Sequence, residues 1–469
     1  MNLAQALRLA RMDSLVSEEP PLLGLVGAGG KTTALFQISR ELPTPVIVTA
    51  TTHLAVGQLS LADRHILARS PGDLDGLEDL LPGNVILVTG RQAEEERVSG
   101  VDPATLDRLH SFAWDRQIPL LIEADGSRQR PVKAPEEHEP ALPPFVKQVI
   151  VVAGLSALGK PLTEAWVHRP ERFAALSGLN LGLAITVDGL AEVLNSQQGG
   201  LKRIPPGARR IALLTQADTD ERRAAADQLA ARLLPAYHAV VIASLHPGDE
   251  PFPGESKAQV SSAELPDPKV FSVREPAAGI LLAAGGSSRR GRPKQLLPWQ
   301  GEPLVRYVAS KALAAGLSPV IVVTGAFHDQ VSRAVADLPV TIIENQEWES
   351  GQSSSVRAGL KALPEETGAA VFLLVDQPQV TVSLLHALVS LHGETLAPVA
   401  APKVGGQRAN PVLFDRSTFP DLMAIRGDVG GRGLFSRYPV AWLNWPDEKL
   451  LQDIDTEEDY RRLQNNPLP

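Results

Sequence analysis

Residues 279–299 read GILLAAGGSSRRGRPKQLLPW, an apolar run that breaks into glycines and serines and then supplies Arg289, Arg290 and Lys294. A polyphosphate calls for that order. Glycine lets backbone N–H groups approach without a side chain in the way, and the cations that follow meet the charge. Arginine can grip phosphate oxygens with two parallel bonds, whereas lysine acts as a point charge. A second stretch, LLGLVGAGGKTTALF at residues 22–36, repeats the plan near the start of the chain. Two nucleotide sites are the first expectation, each at the end of a strand; a surface loop with solvated basic residues is the plainer alternative for residues 285–294.

Around both loops, runs rich in Val and Ile recur with helical patterns between them: LLGLV, PVIVTA, NVILVTG, PLLIEAD, QVIVVAG and RIALLTQ, then GILLAAG, PVIVVTG, VTIIEN and AVFLLVD. Runs that are apolar throughout suit strands buried on both faces of a parallel sheet. The fold class expected is α/β, with two doubly wound domains: an N-terminal P-loop NTPase-like domain and a C-terminal Rossmann-like one. Between them Pro, Gly, Ser and charge crowd out periodic apolar positions. This places domains at 1–245 and 278–469 and a linker at 246–277, within which KVFSV reads as a strand that either neighbour could claim.

Composition narrows the classes. The 469 residues carry a formal net charge of −9, which argues against nucleic acid as the main partner, since backbone binding needs a clustered basic surface. The absence of cysteine removes disulfides, thiolate–zinc sites and any cysteine nucleophile. No apolar run approaches the length that spans a bilayer, and a cytoplasmic protein is expected.

In the second half, AVFLLVDQPQV ends a strand on Asp376. A carboxylate there sits where open α/β sheets bind ligands and suits Mg²⁺, although strand-end aspartates also serve as turn formers. At this point LAAGGSSRRGRPKQLLP resembles the signature of the MobA-like nucleotidyltransferases, particularly their molybdenum cofactor cytidylyltransferase (MocA-type) branch, with Arg290 where that family usually has Met. The likeness continues through ENQEWESGQSSSVRAGL, LLVDQPQV, QRANPVLF, RGDVGGRGL and DIDTEEDY. It implies a Rossmann-like fold that transfers a nucleotidyl group to the terminal phosphate of molybdopterin. The loop Ala283, Ala284, Gly285, Gly286, Ser287 and Ser288, with Arg289 and Lys294, would hold the triphosphate. Asp376 would hold Mg²⁺, with Asp453 and Asp455 as weaker candidates. Asn345, Gly351, Ser353, Ser354 and Ser355 would shape the nucleoside pocket, and Asn410, Asp428 and Arg432 would face the cofactor. The Ala-Ala-Gly opening and the proline before Lys294 resemble the cytidylyl branch, so CTP is expected over GTP.

In the first half, the strand, glycine loop, Lys31, Thr32 and Thr33 follow P-loop logic: loop amides cradle phosphates, lysine reaches the outer ones, and a threonine hydroxyl meets Mg²⁺. Leu25 stands at the first Walker glycine, so the loop depends on Gly27, Gly29 and Gly30. PLLIEADGSRQRPVKAPEEHEP puts Glu123 and Asp125 at a strand end as metal-side carboxylates. Arg128, Arg130 and Lys133 follow; an anion, or the glutamates beyond them, would be their partner. In LLTQADTD only Asp218 survives of a base-reading Asn-Lys-x-Asp pattern, which leaves ATP and GTP both open. VGAGGKTT, TATTH, EADGSRQRPVKAPEEHEP, VVAGLSALGKPL and VHRPE together resemble the YqeC family, described as accessory proteins of selenium-dependent molybdenum hydroxylases. His53, His138 and His168 lie in these motifs, as metal ligands or as ordinary polar contacts.

The combined expectation is a transferase of CMP from CTP to Mo-molybdopterin, fused to a nucleotide-binding accessory domain with a molybdenum hydroxylase as client. Guanylyl or other nucleotidyl transfer to a phosphorylated acceptor is the alternative within enzymes. A nucleotide-gated chaperone that delivers the cofactor is the alternative from another class.

Overall fold

A computed structural model of the chain describes residues 1–9, 19–94, 96–246, 267–286 and 293–464. It divides into two compact units, Met1–Arg274 and Glu275–Pro469. Among the described residues no helix is long and apolar enough to cross a membrane.

The first unit is built on a nine-stranded sheet. In chain order its strands are β1 (Leu22–Gly27), β2 (Val46–Ala50), β3 (Arg64–Leu67), β4 (Val85–Thr89), β5 (Leu120–Glu123), β6 (Gln148–Gly154), β7 (Arg209–Thr215), β8 (Ala239–Ser244) and β9 (Lys269–Arg274). They lie side by side as β9-β8-β7-β6-β1-β5-β2-β4-β3. Every pairing is parallel except β8 with β9. The continuous apolar runs are the reason: β2 and β4 are buried at every residue, so both faces need cover,. Helix α1 (Lys31–Glu41) starts directly after the β1 loop. Strand β1 lies between β5 and β6, so its carboxyl end is flanked by theirs, and loops that follow the three strands meet there. The strand expected at KVFSV is β9, at one end of this sheet within the span expected to be linker.

The second unit has an eight-stranded sheet of β10 (Ala277–Leu282), β11 (Val320–Thr324), β12 (Thr341–Glu344), β13 (Ala369–Leu374), β14 (Val399–Val404), β15 (Gln407–Arg408), β16 (Val412–Asp415) and β17 (Val440–Asn444). The path runs β12-β11-β10-β13-β16-β14-β15, with β17 also on β14. The four strands read from sequence, β10 to β13, form a parallel block. Strand β16 runs antiparallel to both neighbours, so this sheet is mixed: parallel from β12 to β13, antiparallel at β16 and between β14 and β15, and parallel again between β14 and β17. Apolar clusters cover its two faces, one around Leu281, Val308 and Leu384 and the other around Ile280, Val356 and Phe414.

Candidate functional site

In the first unit the loop after β1 is shaped by close backbone contact. Gly29 adopts φ +83, and a Cβ there would come within 2.6 Å of the Pro131 carbonyl and 2.5 Å of the Gly154 amide; only glycine fits. The Gly29 N–H donates to the Arg130 carbonyl at 3.1 Å, and Ala28 N–H to Val152 at 2.9 Å. Gly30 precedes α1, whose first-turn N–H groups have no intrahelical acceptor and carry the positive end of the helix dipole. Such an end is an anion site.

Lys31 is buried with its ammonium turned back into the loop. Its Nζ donates to the Gly27 carbonyl at 2.8 Å and lies 3.3 Å from Asp125 and 3.8 Å from Glu123. Thr32 Oγ1 donates to Glu123 Oε2 at 2.8 Å, and the Asp125 carboxylate accepts from the Gly27 N–H at 3.0 and 3.1 Å. Burial pushes the Glu123 carboxyl above its ordinary range, against the pull of Lys31 and the Thr32 hydroxyl. A hydroxyl, two hard carboxylates and a lysine around a helix start are suited to a divalent cation with a polyphosphate. Thr215 and Thr33 close the far side: Thr215 Oγ1 donates to the Gly29 carbonyl at 2.5 Å, and Thr33 Oγ1 lies 3.4 Å from His246 Nε2. Asp218, the base-side candidate, is tied to Ser244 and Arg222.

Sequence reading left the partner of Lys133 open between an anion and the glutamates beyond it. In the structure Lys133 Nζ donates to Asp125 at 2.9 Å, to the Gly126 carbonyl at 2.6 Å and to Glu139 at 2.7 Å. Glu139 also accepts two bonds from Arg169, at 2.8 and 3.0 Å. Burial works to raise the Glu139 carboxyl, but Arg169 and Lys133 overcome it and hold it at about 2. Of the three histidines, His168 lies beside Lys133 in a short parallel ladder, and the His138 carbonyl accepts from Arg203 at 2.6 Å. Among the described residues no group of three His, Asp or Glu side chains is placed to hold a metal ion.

In the second unit Ser287, Ser288, Arg289 and Arg290 lie outside the described residues. Around them, Ala283 and Ala284 are buried at the end of β10, and the ring of Trp348 lies where a side chain on Gly286 would go. Lys294 Nζ donates to Asp376 at 3.2 Å and to Asp455 at 2.9 Å. Burial lowers the Lys294 ammonium, but the bonds to Asp455 and Asp376 outweigh it and leave it above its ordinary value. Asp455 arrives because the Ile454 N–H donates to the Asp376 carbonyl at 3.0 Å. Asp453 accepts from Gln377 at 2.6 Å; burial, then Asp376 and Asp455, push its carboxyl up. Sequence reading missed Gln295, whose buried amide donates to the carbonyls of Ala283 and Gly285 at 3.0 and 2.7 Å and so ties the two ends of the glycine loop together. A glutamine beside the lysine was its only trace.

The nucleoside-pocket candidates form one cluster. Asn345 Nδ2 donates to Ser354 Oγ at 2.8 Å and Ser355 Oγ at 3.0 Å, at the start of α2 (Gln352–Lys361). The Gly351 backbone, at φ +105, packs against Gly427 and Asp428 so closely that a Cβ would fall 2.6 Å from the Gly427 carbonyl carbon. Asp428, expected on the cofactor side, accepts from the Gln352 N–H at 3.3 Å and so lies at the start of the same helix as Ser354 and Ser355. Arg432 is near enough to Arg408 that the Arg408 guanidinium is lowered, first by burial and then by that neighbour. Asn410 lies on the turn between β15 and β16.

Residues 23–171 match the family model described as YqeC protein, and residues 279–441 match that of the MobA-like NTP transferase domain. The chain is a fusion of these two families. The first is carried by likeness to "Uncharacterized protein YqeC" of Escherichia coli (strain K12), 31% identical over 46% of this chain and 84% of that protein. The second is carried by "Nicotine blue oxidoreductase" of Paenarthrobacter nicotinovorans, 33% identical over 39% of this chain and 95% of that protein. "Purine catabolism protein PucB" of Bacillus subtilis (strain 168) is 34% identical over 39% and 93%. The YqeC match contains the loop, Glu123, Asp125 and His168 but ends before Asp218. The MobA-like match contains Lys294 and Asp376, while Asp455 lies beyond it.

Proposed function

We propose that the MobA-like domain transfers CMP from CTP to the terminal phosphate of Mo-molybdopterin and releases pyrophosphate. On this reading the YqeC domain binds ATP or GTP and serves the maturation of a molybdenum hydroxylase. The observation that carries the transferase reading is Lys294 held between Asp376 and Asp455 at the mouth of a glycine loop in an NTP transferase domain.

Nucleotidyl transfer asks little covalent chemistry of a protein. A phosphate oxygen of the acceptor attacks the α-phosphorus in line, pyrophosphate leaves, and the rate comes from positioning and charge. Lys294 supplies one fixed positive charge; Arg289 would supply a second. Gln295 fixes the loop ends, and the Asn345–Ser354–Ser355 cluster offers hydroxyls and amides to a nucleoside. Asp376 and Asp455 fit a Mg²⁺ ion, being carboxylates that already share one cation, and bound there it would neutralise triphosphate charge. The CTP preference rests on the Ala-Ala-Gly opening and Pro293.

One relative carries an oxidoreductase name. A lysine between two aspartates suits polyphosphate better than hydride transfer, and a single assay separates the readings. Pyrophosphate release is followed with Mg²⁺, molybdopterin cofactor and CTP, GTP or ATP in turn, beside Asp376→Ala. Release with CTP alone, lost in the variant, is the expected result; release with none, despite cofactor binding, sinks the transferase reading in favour of a delivery module.

A further inference from the structure

The turn Ser127–Arg130 bridges the metal-side carboxylates and the phosphate loop of the YqeC domain. Only Gly126 separates it from Asp125, and the Arg130 carbonyl accepts the Gly29 N–H. Its ends meet through the Arg130 N–H donating to the Ser127 carbonyl at 3.0 Å, and both central residues are left-handed, Arg128 at φ +49 and Gln129 at φ +59. Two such residues in succession are what Asn-Gly or Gly-Gly normally provide. A chain that puts arginine and glutamine there accepts backbone strain to display those side chains, and strain of this kind gathers at ligand sites.

The surrounding charge indicates what the turn would meet. Lys31, Lys133, Arg169 and Arg172 are matched by Glu123, Asp125, Glu136 and Glu139 in one connected ion-pair network. Arg128 and Arg130 stand outside that balance; among the described residues neither guanidinium has a carboxylate partner. Arg128 is close enough to His168 to disfavour a positive imidazole, as do Arg169 and Lys133, and with burial as the largest cause His168 is held down to about 4. The patch is therefore cationic without relying on histidine charge.

We propose that the YqeC domain binds a second, phosphate-bearing ligand at the Arg128–Arg130 turn, beside the phosphate loop and distinct from the nucleotide. That the site abuts a nucleotide rests on the P-loop reading above; the oxyanion site itself does not. Guanidinium groups in a fixed turn match phosphate oxygens in geometry as well as charge.

The test uses the full chain and labelled orthophosphate in equilibrium dialysis, with and without saturating non-hydrolysable ATP and GTP analogues. Arg128→Gly keeps a residue suited to the backbone while removing the charge, so loss of binding is not loss of fold; Arg130→Gln is its companion. Orthophosphate is expected to bind in the presence of the analogue, and the double variant to weaken it about tenfold or more, the size of one charge-assisted contact. Analogue affinity should change less than about twofold, well under one such contact. Expulsion of orthophosphate by the analogue would mean that the arginines serve only the outer nucleotide phosphate, and would overturn the proposal. Undiminished orthophosphate binding in the double variant would overturn it as well. If neither analogue binds, the nucleotide reading fails by itself, and the variant comparison with orthophosphate alone still decides the oxyanion site.

Discussion

Both domains place a lysine between two acidic residues at the mouth of a glycine loop, yet they do so under opposite conditions. Lys31 and its partners Glu123 and Asp125 are sealed, with side-chain exposures of 3%, 7% and 3%. Lys294 is 19% exposed, and its partner Asp455 is 62% exposed. A buried charge that loses its partner keeps the desolvation penalty, whereas an exposed one is met by water. The same constellation is thus part of the core in one domain and a reaching side chain in the other. Sequence position follows suit, for Lys31 opens a helix immediately after its loop while Lys294 comes later, past Pro293.

That contrast can be broken by substitution. Lys31→Met should cost the first unit about 3 kcal/mol or more, because it leaves buried carboxylates with less compensation; chemical denaturation followed by a probe in that unit checks this. A loss below about 1 kcal/mol, the range of an exposed pair, would erase the distinction. Lys294→Ala should instead leave the denaturation midpoint nearly unchanged and reduce pyrophosphate release about 100-fold or more, the scale of one fixed electrostatic group. Equal losses of stability in the two variants would refute the comparison.

Acid sharpens it further. His168 has a depressed pKa of about 4 in the fold, so the unfolded chain binds more protons between about 6.5 and 4. Stability from this group is intact above about 6.5 and is lost as pH falls through that window. His168 therefore contributes a loss of first-unit stability on acidification from about pH 6.5 to 4, which the raised Glu123 carboxyl opposes. His168→Gln should remove that contribution; a pH dependence identical in the variant and the wild type would contradict the burial assigned to the ring. The smallest effect is expected at the turn. Gln129→Gly should stabilise by about 0.5 kcal/mol, the relief of a left-handed residue less the greater chain entropy of glycine, measurable as a shift in urea midpoint.

The strands read from continuous apolar runs are present because a doubly buried strand leaves an unmistakable trace in sequence. Strands β14 and β16 left none: VAAPKV is interrupted by a proline and small residues, and VLFD is too short to show a period,. The loop lysines and strand-end carboxylates were legible as types at characteristic positions. Their pairing was not: Asp455, a metal-side candidate only through the resemblance, lies 161 residues from Lys294 and comes beside Asp376 where the Ile454 N–H donates to the Asp376 carbonyl. The Arg128 turn was legible as charge and invisible as strain, for nothing in SRQR announces two left-handed residues.

Strand β9 bears on how the gene can be divided. It pairs antiparallel with β8 over Val240–Ser244, and only Glu275 and Pro276 separate it from β10. A fragment ended at residue 245 would bare the edge of β8, an invitation to self-association, whereas one carried to Arg274 keeps that edge covered. By the same geometry, protease cleavage within 247–266 would nick the polypeptide without releasing its halves, because the ladder would still hold the cut ends to one sheet.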